Sequence, residues 1–420
     1  FATAENKWDS LFLYMLPDWL IVTDMATLKD LYMGQSEMWT MRHLMAYAKP
    51  ILAWFAFFMV MYVTLMAMNV ITRKQWAERE KLSFPLVALP LEMTAPDNRF
   101  FKSRLMWIAF AIPCVINTID NLHMLFPAVP LIQTESYNIN TFITAWPWTA
   151  VGWLPVSFYP WAIGIGFLLP LDLLFSCWFF FLFWKGESVA AAALQLGQNN
   201  PRAPYIGEQA FGGYIGLALF ASWAMRSHLV EVFNKVLGRK SWLDDTGEAM
   251  TYRWAFLLTV FGFIGMVWFS TMAGMTTNIA ILFFVIFLLV SITVNRLRAE
   301  LGAPVHDLHD ADPGAMMVRV VGSQNVLPEN MAVFSLYFSF NRAYRGHPMP
   351  IQMEGLRIAE RTQIHQRAMM WLLTAAFVVG FFSGVWALLQ TYFNVGASSA
   401  KMANQVPLIF GNEPWQRMQS

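Results

Sequence analysis

The chain alternates long apolar runs with short polar stretches that carry most of its lysine and arginine. A hydrocarbon core about 30 Å thick needs about 20 apolar residues of helix. Six runs meet or approach that length: Ile51–Thr72, Leu105–Phe126, Trp161–Trp184, Trp254–Thr276, Asn278–Val294 and Ala368–Phe393. The fifth is a little short, and the second is apolar only as far as Ile119. Phe211–Met225, between Glu208 and Arg226, falls below spanning length and predicts a re-entrant or interfacial helix. Leu82–Met93 is also short and contains Pro85 and Pro90, which suits a broken, re-entrant segment.

The predicted fold class is therefore all-α: a polytopic helical membrane protein with about six spans plus re-entrant or interfacial helices. Residues 1–49 place Trp8, Trp19 and Trp39 among aspartates and read as an external, interfacial segment. Residues 50–294 form the transmembrane bundle, 295–366 a cytoplasmic gating region, 367–393 the last span and 394–420 an external tail. No fixed-period repeat is visible.

Charge placement sets the expected orientation. Arg73, Lys74, Arg79, Lys81, Lys102 and Arg104 crowd the connection after the first span, whereas 127–160 holds no Lys or Arg. Lys185, Arg253, Arg296, Arg298 and Arg367 continue that asymmetry. The positive-inside rule then puts 73–104, 185–253 and 295–367 in the cytoplasm. Composition agrees with a membrane setting: 57% of residues are hydrophobic and 13% charged, against about 25% charged in soluble domains. A net charge of +1 gives no basic stripe for nucleic acid. Cys114 and Cys177 sit in apolar runs and imply no disulfide framework. The first residue is Phe, which suggests a processed chain or a piece of a longer one.

Candidate chemistry is sparse. Asp172 falls midway along the third run, and a carboxylate there is costly enough to suggest a proton or solute path. Asp120 and His123 share a helix face at (i, i+3), and Glu208 and Arg226 flank the short run. These five residues are the candidate ion or solute pathway. Histidine, carboxylate and arginine concentrate between Asn295 and Arg361. From that region Glu80, His306, Asp307, His309, Asp310, Arg342, Arg345 and His347 are the candidate gate, with Glu80 contributed from the connection after the first span. His306, Asp307, His309, Asp310 and Asp312 have metal-ligand types, but His-x-x-His spacing does not force convergence. No metal or cofactor is expected. The alternatives for that loop are a pH-sensitive gate or a structural turn, with Asp310 capping the next helix. No phosphate loop or catalytic triad order is present, so no enzyme is expected.

Three motifs carry a resemblance. They are Gln75–Pro85, Glu300–Leu308 and Arg342–Pro350 with Gln352 and Glu354; Leu16-Pro17-Asp18-Trp19-Leu20 accompanies them. Together they resemble an uncharacterised family of prokaryotic polytopic membrane proteins. That family in turn looks distantly similar to the oligopeptide transporter superfamily, where a segment like Lys81-Leu82-Ser83-Phe84-Pro85 enters a membrane dip. The resemblance implies a multi-pass protein of the inner membrane that moves peptides or metal chelates, usually with protons. The Gly- and Thr-rich loops of plain members are missing. Two functions follow as expectations: a secondary transporter, with or without proton coupling, for a small polar solute, peptide or metal chelate; or a non-catalytic scaffold or accessory subunit of a larger membrane complex. Membrane lipids, a homo-oligomer or a larger complex are the partners implied.

Overall fold

The computed structural model describes residues 7–132, 134, 136–199, 202–303, 307–399 and 411–419. Helices take up 73% of the described residues. In order, the main ones are α1 (Met25–Met33), α2 (Met41–Lys74), α3 (Arg104–Leu125), α4 (Leu171–Ala193), α5 (Ile206–Ala224), α6 (Arg226–Val236) and α7 (Tyr252–Met272). They continue with α8 (Thr277–Leu301), α9 (Pro313–Val321), α10 (Pro328–Asn341), α11 (Pro348–Arg361), α12 (Gln366–Val395) and α13 (Glu413–Gln419). A two-stranded antiparallel ribbon pairs β1 (Tyr137–Asn138) with β2 (Pro155–Val156). Among the described residues six helices are long and apolar enough to cross a membrane: α2 with its π-helical extension to Arg79, α3, α4, α7, α8 and α12. The chain is a multi-pass membrane protein.

Local signals explain several boundaries. Thr40 caps α2 by accepting from the His43 amide, and Arg73 and Lys74 complement the dipole at its far end. The third apolar run does not form the continuous helix expected over 161–184. A short helix, Pro160–Gly166, ends before Pro170, whose extended ψ of 141° starts α4 afresh at Leu171. All of the run 211–225 but Met225 lies inside a 19-residue helix, longer than its apolar part because Glu208 enters the first turn.

The chain divides into two units. The first comprises Phe1–Lys81, Phe211–Arg296 and His306–Ser420; the second comprises Leu82–Ala210 and Leu297–Val305. In the first, α2, α7 and α8 bury Phe57, Met61, Leu65, Met266, Phe283, Phe284 and Phe287 together. Helices α2 and α7 pack so closely that a Cβ on Gly262 would lie 1.9 Å from Thr64 Oγ1.

Helices α10 and α11 pack alongside α8. The Thr276 amide donates to Asn330 Oδ1 at 2.8 Å, and the Ser270 and Tyr337 hydroxyls stand 2.5 Å apart. Farther along, Tyr344 stacks on Phe287 and His347 Nε2 reaches Ser291 Oγ at 2.9 Å. Asn69 Nδ2 then donates to the Met349 carbonyl at 2.8 Å, and Arg73 Nη1 to Glu360 Oε2 at 3.0 Å. Residues 328–361 thus run the length of the bundle from its Thr276 end to its Arg73 end. The stretch 295–366, expected as a separate cytoplasmic region, in this way contributes a broken helix to the core. Its burial comes from Ala332, Val333, Tyr337, Met349, Met353 and Leu356; Val333, Tyr337 and Met349 join the core of α2, α7 and α8, and Leu356 packs with residues of α2 and α12.

In the second unit, Lys185 lies well inside α4 and donates to the Val151 and Trp153 carbonyls at 2.9 and 2.7 Å. The Lys-free connection 127–160, expected as an outer loop, therefore folds back along α4. Leu82–Met93 forms a 3₁₀ turn and a six-residue helix, anchored by the Phe84 amide on the Ala299 carbonyl at 2.9 Å.

Candidate functional site

The break between α10 and α11 is built into residues 342–350. Tyr344 sits at φ +58°, and Pro348 disfavours helical backbone at His347, whose φ and ψ are −63° and 124°. Pro348 then occupies the first helical position, where its missing N–H costs nothing. Three contacts fix the break to residues 308–312. The Leu308 amide donates to the Ala343 carbonyl at 3.0 Å, Tyr344 Oη to the Ala311 carbonyl at 3.2 Å, and Asn341 Nδ2 to Asp312 Oδ1 at 3.1 Å.

This break opens on a cavity of about 800 Å³. Its lining combines apolar Phe58, Met61, Phe287, Phe340, Leu373 and Phe377 with polar His309, Arg342, Arg345, His347, Gln352 and Tyr62. Volumes of this size hold a small organic ligand, and a few convergent polar groups on an apolar wall are the usual means of orienting one. Pro348 and Pro350 remove two N–H groups from the first turn of α11, so recognition there falls to side chains.

The gate candidates converge on this cavity in part. Asp307 bridges Arg345 and His309; the His309 Nε2–Asp307 Oδ1 distance is 2.9 Å. Arg342 approaches Glu413 at 3.6 Å, and His347 caps α11 while holding Ser291. Asp310 faces Arg319 at 3.5 Å; the cap of α9 is Asp312, which accepts from the Gly314 and Ala315 amides. Glu80 lies elsewhere, pairing with Arg296 and accepting from Gln75 Nε2 at 3.0 Å. His306 falls outside the described residues. Among the described residues no three His, Cys, Asp or Glu side chains gather as a metal site.

The pathway candidates do not form a site. Asp172 stands exposed in the first turn of α4 rather than midway along a span, where its charge suits the helix dipole. Asp172→Asn should therefore change thermal stability in detergent by less than about 0.5 kcal/mol; a loss several times larger would reveal a charge partner. Asp120 Oδ1 accepts from the Ile132 amide at 2.9 Å, and His123 Nδ1 meets the Val129 carbonyl at 2.5 Å, so both fold the following loop onto the end of α3. Arg226 donates to the Trp223 carbonyl and lies over that indole ring. Glu208 simply opens α5.

Two polar networks went unread in the sequence. Asn295 Nδ2 donates to Asn69 Oδ1 at 2.7 Å, Asn69 Nδ2 to Gln352 Oε1 at 3.1 Å, and Gln352 Nε2 to the Tyr62 carbonyl at 3.1 Å. This chain of amides pins the first turn of α11 between α2 and α8, beside the cavity. The second network surrounds Arg73, whose Nε and Nη2 grip Glu248 at 2.9 and 2.5 Å while Nη1 reaches Glu360 and Nη2 also Glu78. Glu248 belongs to the loop before α7. In that loop, burial pushes the Asp245 carboxyl up, but hydrogen bonds from Lys235 and the Tyr252 amide outweigh it and leave Asp245 below the usual carboxylate range. The available signal was polar residues standing alone in apolar helices, Asn69 and Asn295 above all.

Compared with known proteins, residues 1–420 match one family model, described as a family of unknown function, DUF6785. No curated protein and no solved structure matches the chain.

Proposed function

We propose that this chain, which belongs to the DUF6785 family of unknown function, is a secondary transporter that takes a small solute into the cavity at the α10–α11 break. One observation carries the reading: a helix pair running the length of the bundle is interrupted at residues 342–347, and the interruption opens on a space of about 800 Å³. Within a bilayer, irregular backbone is tolerated only where protein buries it or where it lines a wet cavity. Discontinuous helices also offer helix ends and freed backbone groups to a cargo. The inner membrane, the coupling ion and the distant oligopeptide transporter resemblance belong to this reading as well; the comparisons add nothing to that resemblance. Asp172 has no part in it.

Water access tests the idea without knowledge of the cargo. In a Cys114→Ser/Cys177→Ser background, Ser339→Cys and Gly346→Cys place thiols on the cavity wall, and a Cβ at Gly346 meets nothing within 4 Å. Both should react with a membrane-impermeant thiol reagent, from each side of reconstituted vesicles in turn. Thiols inert from both sides would remove the cavity from any transport route.

The scaffold reading draws on α3, which buries none of its residues. Labelling of the cavity thiols from one side alone under all conditions would favour it.

A further inference from the structure

The polar lining of the cavity shows which chemistry it accepts. No carboxylate lines the cavity among the described residues, whereas Arg342, Arg345, His309 and His347 all do. Asp307 pairs with two of them, bonding Arg345 through Oδ2 and His309 through Oδ1. Arg345 is 64% exposed, lines the cavity and makes that ion pair through Nη2 alone of the nitrogens that carry its five N–H donors. Arg342 is oriented by Glu413, and Asp310 is turned to Arg319. Phe58, Phe340 and Phe377 add an apolar, aromatic part to the same lining.

We propose that the cavity binds an amphiphilic anion, an apolar body carrying a carboxylate or phosphate group, and that Asp307 is an internal stand-in for that group, displaced when the ligand acid seats on Arg345. The inference rests on the cavity being the solute site. A guanidinium binds carboxylate and phosphate alike through its fork. Asp307 shows that an acid can be accommodated at Arg345 with a histidine at its side. Displacement also removes the Asp307–Arg345 tie to the break, leaving the Leu308–Ala343 bond as the adjacent tether. Binding of the acid and release of this latch are then one event. The same chemistry could come from a free solute or from a lipid headgroup.

The test uses the full chain in phosphatidylcholine nanodiscs, with thermal melting as the readout and 4-phenylbutyrate and its neutral analogue 4-phenylbutanamide as probes. The acid should raise the melting temperature and the amide should not. Asp307→Asn, which keeps the shape and removes the competing charge, should bind the acid about tenfold tighter. Arg345→Gln should bind it at least tenfold more weakly, with Arg345→Lys between that variant and the native chain; both sites are at the rim, where substitution spares the core. If phosphatidylglycerol nanodiscs abolish the effect of added acid in the native chain and an Asp307→Asn variant restores none of it, the anion is a lipid headgroup and the acid chemistry stands. Equal stabilisation by acid and amide, no response to either, or weaker acid binding by Asp307→Asn in phosphatidylcholine overturns the proposal. These outcomes are independent of the thiol labelling, so a wet cavity that ignores charge and a cavity without access can be told apart.

Discussion

Arg73→Met should be among the most damaging single substitutions in this protein, lowering stability by about 3–5 kcal/mol, the range for breaking a buried ion pair from one side. Glu248 has a side-chain exposure of 0%, and its two carboxylate oxygens are gripped by Arg73. Without Arg73, its nearest cation is Lys74 at 3.8 Å, and a carboxylate would remain buried with too little compensation. The reverse change is milder. After Glu248→Gln, Arg73 keeps Glu360 at 3.0 Å and Glu78 at 3.2 Å, both on its guanidinium. The double variant Arg73→Met/Glu248→Met should be more stable than Arg73→Met alone, because it removes the orphaned charge along with its partner. Thermal or SDS unfolding in detergent measures all three. A Glu248→Gln loss larger than that of Arg73→Met would show that the network is organised around another pair.

Gly262→Ala should pry α2 from α7. An added Cβ would lie 1.9 Å from Thr64 Oγ1 and 3.1 Å from Thr64 Cβ. Turning the Thr64 hydroxyl away would break its bond to the Val60 carbonyl at 2.7 Å and still leave the second contact too short. Overpacking of this kind costs about 1–3 kcal/mol. Small residues let helix backbones approach closely in membranes, where packing replaces the hydrophobic effect as the force between helices. Thr64→Gly in the same chain should restore about 1 kcal/mol of that loss, a coupling that separate lesions would not show. Additive losses in the double variant would mean that the two helices adjust independently. The cavity lies on the α2 face that carries Phe58, Met61 and Tyr62, so a displaced α2 should also weaken binding of an anionic probe.

Most of the architecture follows from short-range properties of the chain. Apolar run length is a local quantity, and it yields the six helices fit to cross a membrane. Capping is local too: Thr40, Ser103 and Asp312 each accept from a backbone amide two or three residues ahead. Even the restart of the chain at Pro348 is written in Gly346-His347-Pro348-Met349-Pro350. What the pattern could not reveal is that α10 and α11, at 14 residues each and below spanning length, join end to end along the bundle. Their place depends on Thr276, Ser270, Ser291 and Asn69, partners 54 to 280 residues away in sequence that only tertiary packing brings within hydrogen-bond reach. Asp172 shows the opposite case: its apparent mid-span position came from an apolar run that Pro170 divides, and the divided backbone left its carboxylate exposed at a helix start. The sequence by itself determined which segments are helical and membrane-grade, because periodicity, length and caps act within a few turns. Only the tertiary structure decided where the cavity lies and which charges face it, because burying a polar group requires a partner that the local sequence does not specify.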